Sequence, residues 1–183
     1  QDTIVSNESA DIIRMLNAAF NGIVPQTVDY SPAGLLAEID RVNAFTYDAI
    51  NNGVYKAGFA TDQTVYETEV RALFSALDRL EARLGKQTYL LGDRITEADW
   101  RLFTTLIRFD AVYHGHFKCN LKMLKDYENL WSYTRELYQQ PGIAATINFD
   151  HIKQHYYRSH GTINPNGIVP DGPVLDLDSP SSR

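Results

Sequence analysis

The chain has 183 residues, enough for one sizeable core, and its 44% hydrophobic and 22% charged residues are ordinary for a globular domain rather than a disordered one. Net charge is −6 and the basic residues are scattered among Asp and Glu, which argues against a nucleic-acid partner, since phosphate neutralisation needs clustered Lys and Arg. No apolar run is long enough to span a bilayer, so no membrane is implied, and the single cysteine, Cys119, forbids an internal disulfide and suits a reducing cytoplasm.

Thr3-Ile4-Val5 reads as the end of a β-strand, and 6–9 as a turn opening a helix. Ile12, Ile13, Leu16 and Phe20 recur at helical spacing until Asn21-Gly22, with Pro25 just beyond. Ser31 is a good N-cap with Pro32 behind it, and Leu35, Leu36, Ile39, Val42, Ala49 and Ile50 continue an apolar face to an expected stop at Asn51-Asn52-Gly53. A loop containing Gly58 follows. Thr61 or Asp62 starts the next helix, striped by Val65, Val70, Leu73, Leu77, Leu80 and Leu84 and ended by Gly85. These two helices are expected to pack as an antiparallel pair. After the connector 89–92 a helix runs from Thr96 to about Asp110. Another spans Tyr127 to Gln139, and a last one spans Ile143 to Tyr157. From Gly161 onward the chain holds four of its seven prolines, an irregular tail expected to pack through Ile163, Ile168, Val169, Val174 and Leu175. Strand signals are nearly absent after Val5, so the fold class is all-α.

Thr96 and Asp99 have the spacing of a capping box, with Ile95 and Trp100 placed as a hydrophobic staple. Glu8-Ser9 sits at a helix N-terminus, whose free N–H groups and positive dipole end suit a carboxylate ligand. Tyrosine is abundant, 11 residues, and Tyr55, Tyr113, Tyr156 and Tyr157 lie near predicted helix ends or loops, where a phenol-lined pocket would suit a flat aromatic. His114 and His116 lack a patterned carboxylate partner, and His151 and His155, though on one helix face, read as solvated or capping, so no metal site is expected. Cys119 reads as a structural thiol.

These pieces together resemble a known family. Asn7-Glu8-Ser9-Ala10-Asp11-Ile12-Ile13-Arg14, Asn51-Asn52-Gly53-Val54-Tyr55-Lys56-Ala57-Gly58-Phe59-Ala60, the stretches 91–99 and 108–120, and Ile163-Asn164-Pro165 look like the Xi class of glutathione transferases, which contains the glutathionyl-hydroquinone reductases. The resemblance implies residues 1–21 as the end of a thioredoxin-like domain, 22–31 as a linker, 32–160 as the helical transferase C-terminal domain and 161–183 as an extended tail. It implies Glu8 and Ser9 as ligands of glutathione or another low-molecular-weight thiol. It implies Tyr55 and Tyr156 as proton-handling residues, and Tyr55, Tyr113, His114, Tyr156 and Tyr157 as the substrate pocket. A small aromatic thioether substrate and a homodimer through the helical domain follow from the same likeness. The family's reaction is thiol attack on the sulfur of a glutathionyl-hydroquinone through a mixed disulfide. Cys119 does not match the family's nucleophile, so that cysteine is expected upstream of Gln1 and residues 1–183 alone are expected to be inactive. A general glutathione-conjugating enzyme and a non-catalytic helical interaction module are the alternatives.

Overall fold

The computed structural model describes residues 3–4, 6–24 and 28–181, so Val5 of the expected strand end, and Pro25, lie outside the described residues. Thr3 and Ile4 form no strand. A strand needs a neighbour for its N–H and C=O groups, and no described segment pairs with them. The first helix, α1 (Ser9–Ala18), places its apolar positions largely in solvent: Ile12, Leu16 and Phe20 are all exposed.

Ser31 does not cap the following helix. Its hydroxyl donates to Glu97 Oε2 at 2.8 Å, and a 3₁₀ turn (Ala33–Leu35) intervenes before α2 (Leu36–Thr46). The stop expected at Asn51-Asn52-Gly53 is also absent. A π-helical turn (Tyr47–Asn51), closed by the Asn52 N–H on the Tyr47 carbonyl at 2.8 Å, leads straight into α3 (Gly53–Gly58). The glycines here allow close approach rather than punctuate. A Cβ on Gly53 would touch Leu73 at 3.4 Å, and one on Gly58 would lie 2.2 Å from the Phe117 ring.

Asp62 caps α4 (Gln63–Leu84) by accepting the Thr64 and Val65 N–H groups at 2.8 and 3.1 Å. Val70, Leu73, Leu77, Leu80 and Leu84 are buried as the stripe predicts, whereas Val65, in the first turn, is exposed. The helix ends at Gly85. Its main partners are α3, the later helix 128–138 and the π turn, while α2 packs mainly on the helix 97–108 and touches α4 where Arg79 lies over the Phe45 ring, so the expected antiparallel pair is made mainly by the second half of its first member. The break at residues 47–51 redirects the chain between those two neighbours.

α5 (Glu97–Arg108) starts at the capping box. The buried Asp99 carboxylate accepts from the Thr96 N–H at 2.7 Å, the Thr96 hydroxyl at 2.9 Å, the Leu90 N–H at 2.9 Å and the Tyr133 hydroxyl at 2.8 Å. One side chain thus joins a helix start, the 89–92 connector and α6 (Glu128–Tyr138). A second π turn (Phe109–Tyr113) extends α5, closed by the His114 N–H on the Phe109 carbonyl. The last helix, α7 (Phe149–Ser159), begins later than expected. Ala144–Thr146 is a separate 3₁₀ turn, and the Asn148 side chain then caps α7 on the His151 N–H at 3.0 Å. The tail packs through Ile163, Val169, Leu175 and the buried Leu177. Ile168 and Val174 are instead exposed, because the tail is held partly by polar bonds: Lys153 to the carbonyls of Pro170 and Asp171, and Gln139 to those of Leu177 and Ser179.

Candidate functional site

Three elements distant in sequence bring three phenols together. Tyr55 comes from α3, Tyr113 closes the second π turn, and Tyr156 lies in α7. The Tyr156 hydroxyl is 2.7 Å from that of Tyr55 and 2.8 Å from that of Tyr113, a continuous hydrogen-bonded row. Phe117 supports it from behind, with its ring centroid 5.2 Å from Tyr55 and 5.5 Å from Tyr113. Burial, reinforced by Tyr156, pushes the Tyr55 hydroxyl up to about 12, although Tyr113 and the positive charge of Arg108 pull the other way. Burial also drives Tyr113 far above its ordinary value. Both phenols therefore keep their protons at neutral pH, and Tyr55 is 38% exposed where it lines the cleft described next.

The row forms one wall of a cleft of about 680 Å³. Ser9, Ala10 and Ile13 of α1 line it, as do Tyr47, Asn51 and Asn52 at the π turn. Trp100, Arg101, Thr104, Thr105 and Arg108 of α5 and His155 of α7 complete the lining. An aromatic wall facing polar and cationic side chains, with Ser9 at a helix N-terminus, fits a flat ring attached to an anionic group.

Of the residues read from sequence, Tyr55, Tyr113, Tyr156 and Ser9 meet at this cleft. His114 and Tyr157 do not line it. Tyr157 follows Tyr156 by one position on α7, and neighbours on a helix point about 100° apart, so its ring packs instead against His116, 4.6 Å between centroids. His114 is the residue that follows the second π turn. Glu8 is exposed and does not line the cleft either. Arg101, Arg108 and His155 are additional lining residues. The spacing 101, 104, 105 and 108, one face of a helix, was the available signal for the first two.

The family comparison agrees with this geometry. Residues 63–136 match the family Glutathione S-transferase, C-terminal domain. Glutathionyl-hydroquinone reductase YqjG of Escherichia coli (strain K12) is 56% identical over 99% of this chain and 55% of its own length. Along nearly its whole length the chain is similar to Xi-class glutathione transferases. Its fold superimposes on glutathione-bound YqjG with a TM-score of 0.96, covering 98% of this chain and 59% of that one. A Xi-class transferase from Natrialba magadii gives 0.95 at 50% identity, covering 99% and 55%. The chain spans about half the length of the curated relatives it matches.

Three further groups of side chains bear on the chemistry available to the chain. Arg14 of α1 donates to Glu97 Oε2 at 2.7 Å and to Asp40 at 2.6 Å, while Ser31, Asn43 and Arg101 also reach Glu97. Burial alone would raise the Glu97 carboxyl, but the bonds from Arg14 and Ser31 outweigh it and hold the group below its ordinary value. This cluster ties α1, and with it Ser9, to the start of α5. Cys119 is fully buried, and burial pushes its thiol up to about 12, so it is protonated and shielded. His116 and His160 face each other with ring nitrogens 3.0 Å apart, and burial followed by the charge of His160 pushes His116 down to about 4. Among the described residues no three His, Cys, Asp or Glu side chains gather to hold a metal ion, and no helix is long and apolar enough to cross a membrane.

Proposed function

We propose that this chain supplies the aromatic-substrate pocket, and one edge of the thiol site, of a glutathionyl-hydroquinone reductase. The observation that carries the reading is the hydrogen-bonded row of Tyr55, Tyr156 and Tyr113 on the wall of a cleft that α1 reaches with Ser9. The names of the curated relatives, and the glutathione in the YqjG structure, support glutathione as the cosubstrate. In the proposed domain scheme, residues 1–21 end a thioredoxin-like domain, 22–31 link it to the helical domain 32–160, and 161–183 form its tail. The exposed apolar face of α1 supports that division, because Ile12, Leu16 and Phe20 suit a core not built by residues 32–160.

The chemistry proceeds in two thiol exchanges. A thiolate attacks the glutathionyl sulfur of the substrate, the sulfur–carbon bond breaks, and a mixed disulfide with glutathione forms. The aromatic carbon keeps the bonding pair and takes a proton, for which Tyr55, protonated and facing the cleft, is the donor, with Tyr156 and Tyr113 behind it as a relay. A second glutathione then attacks the mixed disulfide, regenerating the thiolate and leaving as glutathione disulfide. Buried Cys119 is no part of this, so the attacking thiolate comes from outside residues 1–183. The reaction consumes reduced glutathione, consistent with a cytoplasmic setting and, on the family pattern, a homodimer through the helical domain.

Purified 1–183 is expected to bind menadiol, read by quenching of tryptophan fluorescence, without turning over glutathionyl-menadiol in the presence of glutathione. Replacing both Tyr55→Phe and Tyr156→Phe is expected to weaken binding about tenfold. Turnover by 1–183 would overturn the assignment of the thiolate. Unchanged binding in the double variant would overturn the pocket.

A further inference from the structure

The charge of the cleft runs against that of the molecule. The chain carries a net −6, yet the cleft is lined by Arg101, Arg108 and His155 and by no Asp or Glu. The two arginines are not equivalent. Arg101 lies 3.4 Å from Glu97 Oε1, so its charge is answered within the protein. Arg108 pairs with no carboxylate among the described residues. One nitrogen, Nη1, donates to the Thr104 carbonyl, which lays the guanidinium along α5 and leaves its other N–H groups for a ligand. It lines the same cleft as the tyrosine row, and its charge acts on the Tyr55 hydroxyl. A guanidinium in a partly closed aromatic cleft, with no internal counter-ion, is an anion receptor.

We propose that Arg108 is a specificity-determining residue that selects hydroquinones bearing an anionic substituent such as a carboxylate on the ring. The inference rests on the reading of the cleft as the aromatic pocket and names the class of ring it prefers. Arg108 is also the last residue of α5, where a cation is favoured by the helix dipole alone. That purely structural role would alter stability and leave discrimination between ligands untouched.

The test is isothermal titration of 1–183 at pH 7 and low salt with two rings of the same shape, 2,5-dihydroxybenzoate and its neutral analogue 2,5-dihydroxybenzamide. The benzoate is expected to bind about tenfold more tightly. Arg108→Met is expected to abolish the preference by weakening the benzoate alone, and Arg108→Lys to keep part of it. Equal affinities in the unmodified chain, or a preference that survives Arg108→Met, would overturn the role of Arg108 while leaving the aromatic pocket intact. Binding of neither ring would overturn the pocket and the inference with it.

Discussion

α1 and α5 both border the cleft, but they are held in opposite ways. In α5 eight of twelve residues are buried, and its first turn is bonded by Asp99 to two other segments. In α1 no residue is buried, and its ties to residues 28–181 include the polar contacts of Arg14 with Glu97 and Asp40 and of Asn17 with Asp29 and the Tyr30 N–H. The lesson is that the two sides of one site draw on different sources of order. The phenol wall is fixed by the core of this domain, whereas the Ser9 edge is fixed by a few exchangeable hydrogen bonds.

The sharpest way to break the contrast is at Asp99. Asp99→Ala strands the Leu90 and Thr96 N–H groups and the Tyr133 hydroxyl in the core, and urea unfolding is expected to show a loss of about 3–4 kcal/mol for the whole domain. A loss under 1 kcal/mol would mean that α5 needs no such anchor. Glu97→Gln, two residues away, is expected to act locally. Hydrogen exchange in α1 should speed up about tenfold while α5 and α6 stay protected. The same hold depends on pH. The Glu97 carboxyl lies below its ordinary value of 4.5 in the folded chain, so its contribution is complete above that value and is lost as pH falls through the lower folded one. Protection of α1 should therefore survive at pH 5 and fade on further acidification, before that of α5. The smallest effect belongs to Leu16→Ser on the open face of α1, expected to change the stability of 1–183 by less than about 0.5 kcal/mol, where a buried leucine such as Leu102 cut to alanine would cost about 2–5 kcal/mol.

Sequence made α4 and the start of α5 legible because their signals are local: Asp62 and Gly85 bracket one helix, and Thr96 with Asp99 opens the other. It misplaced the ends of α2 and α7. Gly53 looks like a stop on the chain but serves Leu73 across a helix interface, and Ser31 looks like a cap but bonds to Glu97, 66 positions on. Long-range partners of this kind leave no periodic trace. At the site, Tyr55 was singled out by its motif and Tyr156 by its place in the last helix. Tyr113 joined them only because the chain turns there in a way that periodicity does not encode. His114 and Tyr157 lie in the same stretches as Tyr113 and Tyr156 but do not line the cleft, and Arg108 is hidden in an ordinary scatter of basic residues.

The π turns have a consequence for how the cleft tolerates change. On an uninterrupted α-helix, residues five apart point roughly 140° away from each other. Arg108 and Tyr113 are five apart and nevertheless share one cavity, because the widened turn between them takes up an extra residue. Tyr47 and Asn52 share it across the other such turn. The site in this sense depends on one extra residue in each of two helical turns. Deleting a single residue from either turn would leave a smoother helix and rotate everything after it out of phase with the cavity.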